Sequence, residues 1–173
     1  MTDAVRCFVG LPLPPAWGLG LDALAQRLAE RLHARVAWTK PGNWHVTLRF
    51  LGEVDAARVP GICAALGDID FTPVTLRLGC AGFFGPGLAS GRAGGRGVPR
   101  TLWVGLTQGE EACARLAALV DRALAPCGFG ARAGGYRPHV TLGRVKRACE
   151  EGGGKGDDWE AAAREVEQGL AEA

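Results

Sequence analysis

Apolar and polar residues alternate along several short segments of the chain, and a period of two predicts β-strands. In segment 44–51, His, Thr and Arg occupy one set of alternate positions, while Val, Leu and Phe occupy the other. Segment 100–107 alternates in the same way. Segments 6–11 and 74–84 are largely apolar runs typical of core strands, and a shorter strand is predicted at 36–38.

Apolar residues at helical spacing predict four helices between and after these strands. The predicted helices cover 15–33, 55–66, 110–124 and 159–171. The first of them begins at consecutive prolines, which a helix tolerates in its first turn. The chain is therefore predicted to contain both strands and helices, and the two types are interspersed along its length.

Two segments have no apolar period and are predicted to be connections. Segment 85–99 holds six glycines and two arginines, and we expect it to form a mobile hairpin connection. It does not match the pattern of a phosphate-binding P-loop. Segment 150–158 is predicted to be a solvated, flexible linker before the last helix.

Length and composition predict one domain that spans residues 1–173. A hydrophobic fraction of 47% is sufficient for a core at this length. Lys and Arg number 20 and Asp and Glu number 18, so the net charge is +2 and there is no overall field to attract nucleic acid. Any basic binding site must be local.

The chain shows no sign of export or of a membrane anchor. Its first 18 residues include an early acidic residue and an apolar run interrupted by prolines, which does not suit a signal peptide. No segment approaches the ~20 apolar residues that a bilayer span requires. The six cysteines stand singly, without C-x-x-C spacing, which argues against a zinc knuckle or a thioredoxin-like motif. We expect a cytoplasmic protein with no membrane partner.

The tetrapeptide His-Val-Thr-Leu occurs twice, at 45–48 and at 139–142, and it accounts for two of only three histidines. A strand places the His and Thr of each copy on one face, roughly 7 Å apart along the backbone. Each copy therefore offers an imidazole beside a hydroxyl. Because each half of the chain brings strands and a helix, a pseudo-twofold arrangement would face the two copies across one cleft.

Two imidazoles and two hydroxyls suit the hydrolysis of a phosphodiester, in which the attacking and leaving oxygens lie on opposite sides of phosphorus. One histidine serves as base and the other as acid, since the ordinary pKa of histidine is near 6.5. The two threonines can hold the non-bridging oxygens. Arg49 is expected on the same face as His45 and Thr47, where it would neutralise charge.

Other chemistries fit the residues less well. A hydrolytic zinc site takes three protein ligands from His, Cys, Asp or Glu, whereas the motifs supply two His and two Thr. We therefore expect no metal and no cofactor. Cys127 and Arg132 are one residue too close for the usual C-x-x-x-x-x-R of a cysteine phosphatase. His33 has no Thr partner and is interpreted as a cation near the end of a helix.

The paired motifs and their flanks resemble a known family, the two-histidine phosphoesterases. The segments RCFVGLPLP, NWHVTLRFLGEV, PRTLWVGL and YRPHVTLGRV resemble, in order, segments of the RNA 2′,3′-cyclic phosphodiesterases, also called LigT-like or 2′-5′ RNA ligases. The resemblance covers roughly residues 5–147. It implies an α+β fold of two lobes related by a pseudo-twofold, with mostly antiparallel sheets, outer helices and a central cleft.

The resemblance also implies roles for individual residues. His45 would donate a proton to the leaving 3′-oxygen, and His139 would accept a proton from water, which gives a 2′-phosphomonoester. Thr47 and Thr141 would contact the phosphate. Arg144 falls where the family often places a phosphate-binding arginine, although strict alternation along the strand points it away from His139.

Two departures from the family accompany the resemblance. The glycine-rich connection at 85–99 is longer than usual, which would alter access for long RNA. The family normally continues with a final pair of strands after the last helix, and we expect those strands to be absent from this chain. One sheet edge would then be open.

The sequence leaves several functional alternatives open. The first is hydrolysis of RNA terminal 2′,3′-cyclic phosphates. The second is a non-catalytic protein that binds RNA ends. The third is ligation through a 2′-5′ linkage, or action on a small cyclic nucleotide. The expected partners are RNA ends or small cyclic nucleotides, and the expected state is a monomer.

Overall fold

A computed structural model describes residues 3–86, 99–147 and 158–171 of the chain. The strands of this part are β1 (Ala4–Pro12), β2 (Arg35–Trp38), β3 (His45–Asp55), β4 (Arg77–Phe84), β5 (Thr101–Gln108) and β6 (His139–Arg147). Its α-helices are α1 (Pro15–Arg31), α2 (Val59–Gly67), α3 (Glu110–Leu124) and α4 (Trp159–Ala171). Most of the predicted connection at 85–99 and of the linker at 150–158 lies outside the described residues.

Two predicted boundaries are wrong by a few residues. The helix predicted at 55–66 begins as a single 3-10 turn at Ala56–Arg58, capped by the Asp55 carboxylate, which accepts from the Ala57 amide at 3.0 Å. The α-helical part starts only at Val59, next to a proline in its first turn. The strand predicted at 74–84 begins at Arg77, because its partner β5 ends there, at Gln108.

The strands form one antiparallel sheet in the order β1-β3-β6-β5-β4, and β2 also pairs with β6. Helices pack on the sheet, with α4 against β4 and α3 against β3. The prediction of an α+β fold built on antiparallel strands is confirmed. Among the described residues, no helix has both the length and the apolar character needed to cross a lipid bilayer.

The two motif strands pair with each other at their valines. β3 and β6 pair antiparallel through Val46 and Val140, which are 0% and 1% exposed. Each motif strand also pairs on its other side with a neighbouring strand, β3 with β1 and β6 with β5, in the same register. The residues opposite His, Val and Thr are Pro12, Leu11 and Gly10 for the first motif and Gly105, Val104 and Trp103 for the second. This identical register is the pseudo-twofold that the sequence predicted.

Both motif strands bulge at the leucine of the motif. On β3, Thr47 and Arg49 pair with consecutive residues of β1, so Leu48 is the extra residue. On β6, Thr141 and Gly143 pair with consecutive residues of β5, so Leu142 is the extra residue. A bulge changes which face the following side chains occupy. Alternation along each strand therefore holds only up to the leucine.

Two hydrophobic clusters lie beneath the sheet. The first joins α1 and α4 to β4, β5 and β6 and includes Val46 and Val140. The second joins α2 and α3 to β3 and includes Leu48 and Val54. Because these clusters take up the apolar positions of the motif strands, the His and Thr positions are left on the opposite face.

Candidate active site

The two motif histidines have the same local hydrogen bond. His45 Nδ1 lies 2.7 Å from the Asn43 carbonyl oxygen, and His139 Nδ1 lies 2.8 Å from that of Arg137. A carbonyl oxygen can only accept, so each Nδ1 carries the proton and donates. In each neutral ring this leaves Nε2 as the unprotonated nitrogen. Both imidazoles are thus oriented by backbone two residues upstream to exchange protons at Nε2.

The antiparallel pairing of β3 and β6 places the histidine of each motif beside the threonine of the other. Continuing the antiparallel register by one residue on either side of Val46 and Val140 puts His45 next to Thr141 and His139 next to Thr47. Thr47 and His139 line the same cleft. Each imidazole is therefore placed beside the hydroxyl of the other motif as well as near that of its own.

His45 lies against an exposed aromatic ring. The rings of Phe8 and His45 stack with centroids 4.6 Å apart. They meet over Gly10, where an added Cβ would come within 3.1 Å of the Phe8 ring and 3.4 Å of the His45 ring. The Val46 carbonyl oxygen would lie 3.2 Å away, so a side chain at position 10 would require the Phe8 ring or this backbone to give by a few tenths of an ångström, whereas its contact with His45 would be ordinary. Phe50 lies beside Phe8, with ring centroids 6.4 Å apart.

His139 lies in a more enclosed, cationic environment. Its ring meets those of Phe84 and Trp103 edge-on, with centroids 4.8 Å and 6.2 Å away. Burial lowers the pKa of His139 below its ordinary value, and the charges of Arg144, Arg137 and His45 lower it further, against a raising effect of the bond to the Arg137 carbonyl. His139 is therefore neutral at neutral pH, the state a general base needs.

The bulge at Leu142 brings Arg144 to the face of the histidines. Val140, Leu142 and Val145 all pack into the first hydrophobic cluster, so the core-facing positions change from a spacing of two to a spacing of three. Arg144 then faces the same way as His139 and is exposed to solvent. The expectation that strand parity points Arg144 away from His139 is wrong.

The bulge at Leu48 has the opposite effect on Arg49. Arg49 pairs with Val9, a residue of the second hydrophobic cluster, and its side chain is only 13% exposed. Its guanidinium donates to Asp121 of α3 at 2.9 Å and to the Gly130 carbonyl at 2.6 Å. Arg49 nevertheless lines the same cleft as Thr47 and His139. Its predicted role in binding the substrate stays a prediction.

A segment without regular structure, 125–138, leads into the second motif and is held to β3 by side chains. Asp121 also accepts from Arg132 at 3.1 and 3.2 Å. The Arg132 guanidinium lies 4.6 Å from the centre of the Tyr136 ring, and the Tyr136 hydroxyl donates to the Thr47 carbonyl at 3.2 Å. Burial raises the pKa of Tyr136, so this hydroxyl keeps its proton.

This segment and β3 border a cleft of about 410 Å³. Its lining includes Thr47, His139, Phe84, Arg132 and Tyr136. Sequence analysis missed Arg132 and Tyr136 as site residues and considered Arg132 only as part of a phosphatase motif. Their contacts join residues 11 to 89 positions apart, and no local pattern reports such contacts.

Within the described residues, no group of three or more His, Cys, Asp or Glu side chains is placed to hold a metal ion. The polar groups that surround the two histidines are instead hydroxyls and guanidinium groups. Such donors match a phosphate anion.

Comparison with known proteins finds a family that this chain resembles. Residues 11–93 match the family model described as LigT like Phosphoesterase. Two archaeal relatives are both named RNA 2′,3′-cyclic phosphodiesterase. The one from Archaeoglobus fulgidus is 35% identical over 65% of this chain and 57% of its own length. The one from Aeropyrum pernix is 35% identical over 61% of this chain and 55% of its own length. The chain thus spans little more than half the length of these curated relatives.

The fold also matches a solved structure. The structure of E. coli LigT in complex with 3′-AMP superimposes with a TM-score of 0.63 at 22% identity, and the match covers 91% of this chain and 82% of that chain. At this identity the likeness concerns the fold. Taken with the family model and the paired motifs in one register, it supports the LigT-like phosphoesterases as the family that this chain resembles.

Proposed function

We propose that this protein opens 2′,3′-cyclic phosphates at RNA ends to give 2′-phosphomonoesters, without a metal or a cofactor. The observation that carries the proposal is the antiparallel pairing of two His-Val-Thr-Leu strands, in which both histidines donate Nδ1–H to a carbonyl. The names of the archaeal relatives and the 3′-AMP bound to E. coli LigT support a nucleotide phosphodiester as the substrate.

The proposed reaction is one in-line displacement at phosphorus. His139 takes a proton from water at Nε2 as the water oxygen bonds to phosphorus. The bond to the 3′-oxygen breaks, and that oxygen receives the Nε2 proton of His45. The 2′-oxygen keeps the phosphate. The lowered pKa of His139 favours the neutral base, and this supports the assignment of His139 as acceptor and His45 as donor.

The remaining site residues stabilise charge or hold the reacting groups. Thr47 and Thr141 donate their hydroxyls to the non-bridging oxygens, where negative charge increases in the transition state. Arg144 neutralises part of that charge from the face of His139. Arg49 is paired with Asp121, so we propose that it positions the segment 125–138 and does not contact the phosphate. All of these residues come from one chain, so a monomer is sufficient for the proposed reaction.

Replacing either motif histidine tests the proposed reaction. His45→Ala and His139→Ala should each lower kcat by about 10²- to 10⁴-fold on an oligonucleotide that ends in a 2′,3′-cyclic phosphate, because a positioned acid or base contributes that much. The assay is chromatography of the product in buffer that contains EDTA. His33→Ala, which changes the exposed third histidine, is the matched control and should retain full activity.

Several results would contradict the proposal. Loss of wild-type activity in EDTA would point to metal-dependent chemistry. Full activity in either motif variant would remove that histidine from the mechanism. Binding of the oligonucleotide without product would favour a protein that binds RNA ends and does not turn them over.

The pH dependence of the rate tests the role of His139. A base with a lowered pKa remains neutral below pH 6.5, so kcat/KM should stay high as the pH falls to that value and decline only further into the acid range. The measurement is a pH series of kcat/KM with the wild type. An acid limb centred above pH 6.5 would contradict this assignment of the base.

Replacing Arg144 tests its place on the cleft face. Arg144→Ala should lower kcat/KM by roughly 10- to 100-fold, because a charge-assisted hydrogen bond contributes about 1.5–3 kcal/mol. It should also move the acid limb to higher pH, since the Arg144 charge is one of the causes that lower the pKa of His139. Arg122→Ala, at an exposed position of α3, is the control. An unchanged acid limb in Arg144→Ala would place Arg144 away from His139.

A further inference from the structure

Two largely buried guanidinium groups beside the cleft share a single carboxylate. Arg49 donates to Asp121 at 2.9 Å, and Arg132 donates to the same carboxylate through Nε at 3.1 Å and through Nη2 at 3.2 Å. The side chains of Arg49 and Arg132 are only 13% and 19% exposed. Within the part of the chain that the structure describes, Asp121 is the one carboxylate in ion-pair contact with either arginine. The cluster therefore keeps a positive charge that no carboxylate neutralises.

The remaining charge is available to an anion in the cleft. A largely buried charge without a counter-charge is unfavourable, because it has lost much of its hydration. Both arginines line the cleft. Nε and Nη2 of Arg132 are occupied by Asp121 and by the Ala117 carbonyl, and among the described residues none accepts from its Nη1. Arg132 thus combines an excess positive charge with unused N–H donors, and this combination suits a phosphate oxygen.

One tyrosine ring separates this cluster from the paired motifs. The Arg132 guanidinium lies 4.6 Å from the centre of the Tyr136 ring, and the hydroxyl of that ring donates to the Thr47 carbonyl at 3.2 Å. Because burial raises the pKa of Tyr136, the phenol stays neutral and does not offset the charge of the arginines. The cluster is also separate from Arg144, whose charge acts on His139. The site therefore has a second cationic position, at a short distance from the place of the reacting phosphate.

We propose that Arg132 binds the phosphate on the 5′-oxygen of the terminal nucleotide, which in RNA is the linkage to the rest of the strand. The proposal rests on the proposed function and adds a second phosphate subsite to it. With the reacting phosphate at the two histidines, the next phosphate of the strand is one nucleotide away and lies along segment 125–138. A cyclic mononucleotide has no phosphate there and leaves the excess charge without a counter-ion. Arg132 thus lets the protein distinguish an RNA strand from a cyclic mononucleotide.

The test compares two adenosine dinucleotides that end in a 2′,3′-cyclic phosphate. One has the natural phosphodiester between its nucleosides, and the other has an uncharged methylphosphonate there. The wild type should show a kcat/KM roughly 10- to 100-fold higher for the charged dinucleotide, the range that a charge-assisted hydrogen bond supports. This ratio should decrease as salt is added, because the contact is ionic.

Variants of Arg132 locate the contact. In Arg132→Gln the ratio should fall to about one, whereas a purely structural role of Arg132 would lower both rates and leave the ratio unchanged. Arg132→Lys keeps the charge without the planar fork and should retain part of the ratio. Arg122→Gln, at an exposed position of α3, is the matched control and should keep the whole ratio.

A wild-type ratio near one, or a wild-type ratio that persists in Arg132→Gln, would overturn the subsite. A binding measurement separates this failure from a failure of the proposed function. Calorimetry uses the same two dinucleotides with a 2′-monophosphate in place of the cyclic phosphate. Tighter binding of the charged dinucleotide to the wild type, lost in Arg132→Gln, supports the subsite even if the wild type opens no cyclic phosphate, in which case only the proposed function fails. Equal affinity of the wild type for both dinucleotides would overturn the subsite.

Discussion

The antiparallel contact between Val46 and Val140 is the constraint on which the site depends. Both valines are buried in the first hydrophobic cluster, so the two strands cannot slide past each other without exposing apolar surface. A slip of one residue would turn every side chain of a motif to the other face. The burial of two small apolar side chains thus keeps two imidazoles and two hydroxyls together on the face opposite the helices.

The bulges at Leu48 and Leu142 then determine which side chains beyond each motif face the cleft. Each lets the strand supply apolar residues to the core on both sides of the irregularity. On β6 the bulge turns Arg144 to the cleft, and on β3 it turns Phe50 to the cleft and Arg49 to Asp121. The same backbone irregularity in both halves therefore yields a cleft that is symmetric in its two histidines and asymmetric in the residues that surround them.

The sequence predicted the helices, the strands and the paired motifs because these depend on local periods and on a repeated tetrapeptide. It placed His45 with Thr47 and His139 with Thr141 correctly on shared strands, since alternation holds over that span. It misjudged the direction of Arg144 and missed the pairing of Arg49 with Asp121, because a bulge is set by pairing with a distant strand and leaves no mark in the period itself. Tyr136 and Phe8 were missed for a related reason: their importance comes from contacts with Thr47 and His45, far away in the chain.

The central claim is that both motif histidines are held with Nδ1 protonated, so that each exchanges protons at Nε2. Long-range ¹H–¹⁵N correlation spectra of the protein above pH 8, with His45→Ala and His139→Ala spectra for assignment, measure the tautomer of each ring directly. We predict the Nδ1–H tautomer for both histidines. An Nε2–H tautomer at either one would contradict the account, because the nitrogen that faces the phosphate would then lack the lone pair or the orientation that the mechanism requires.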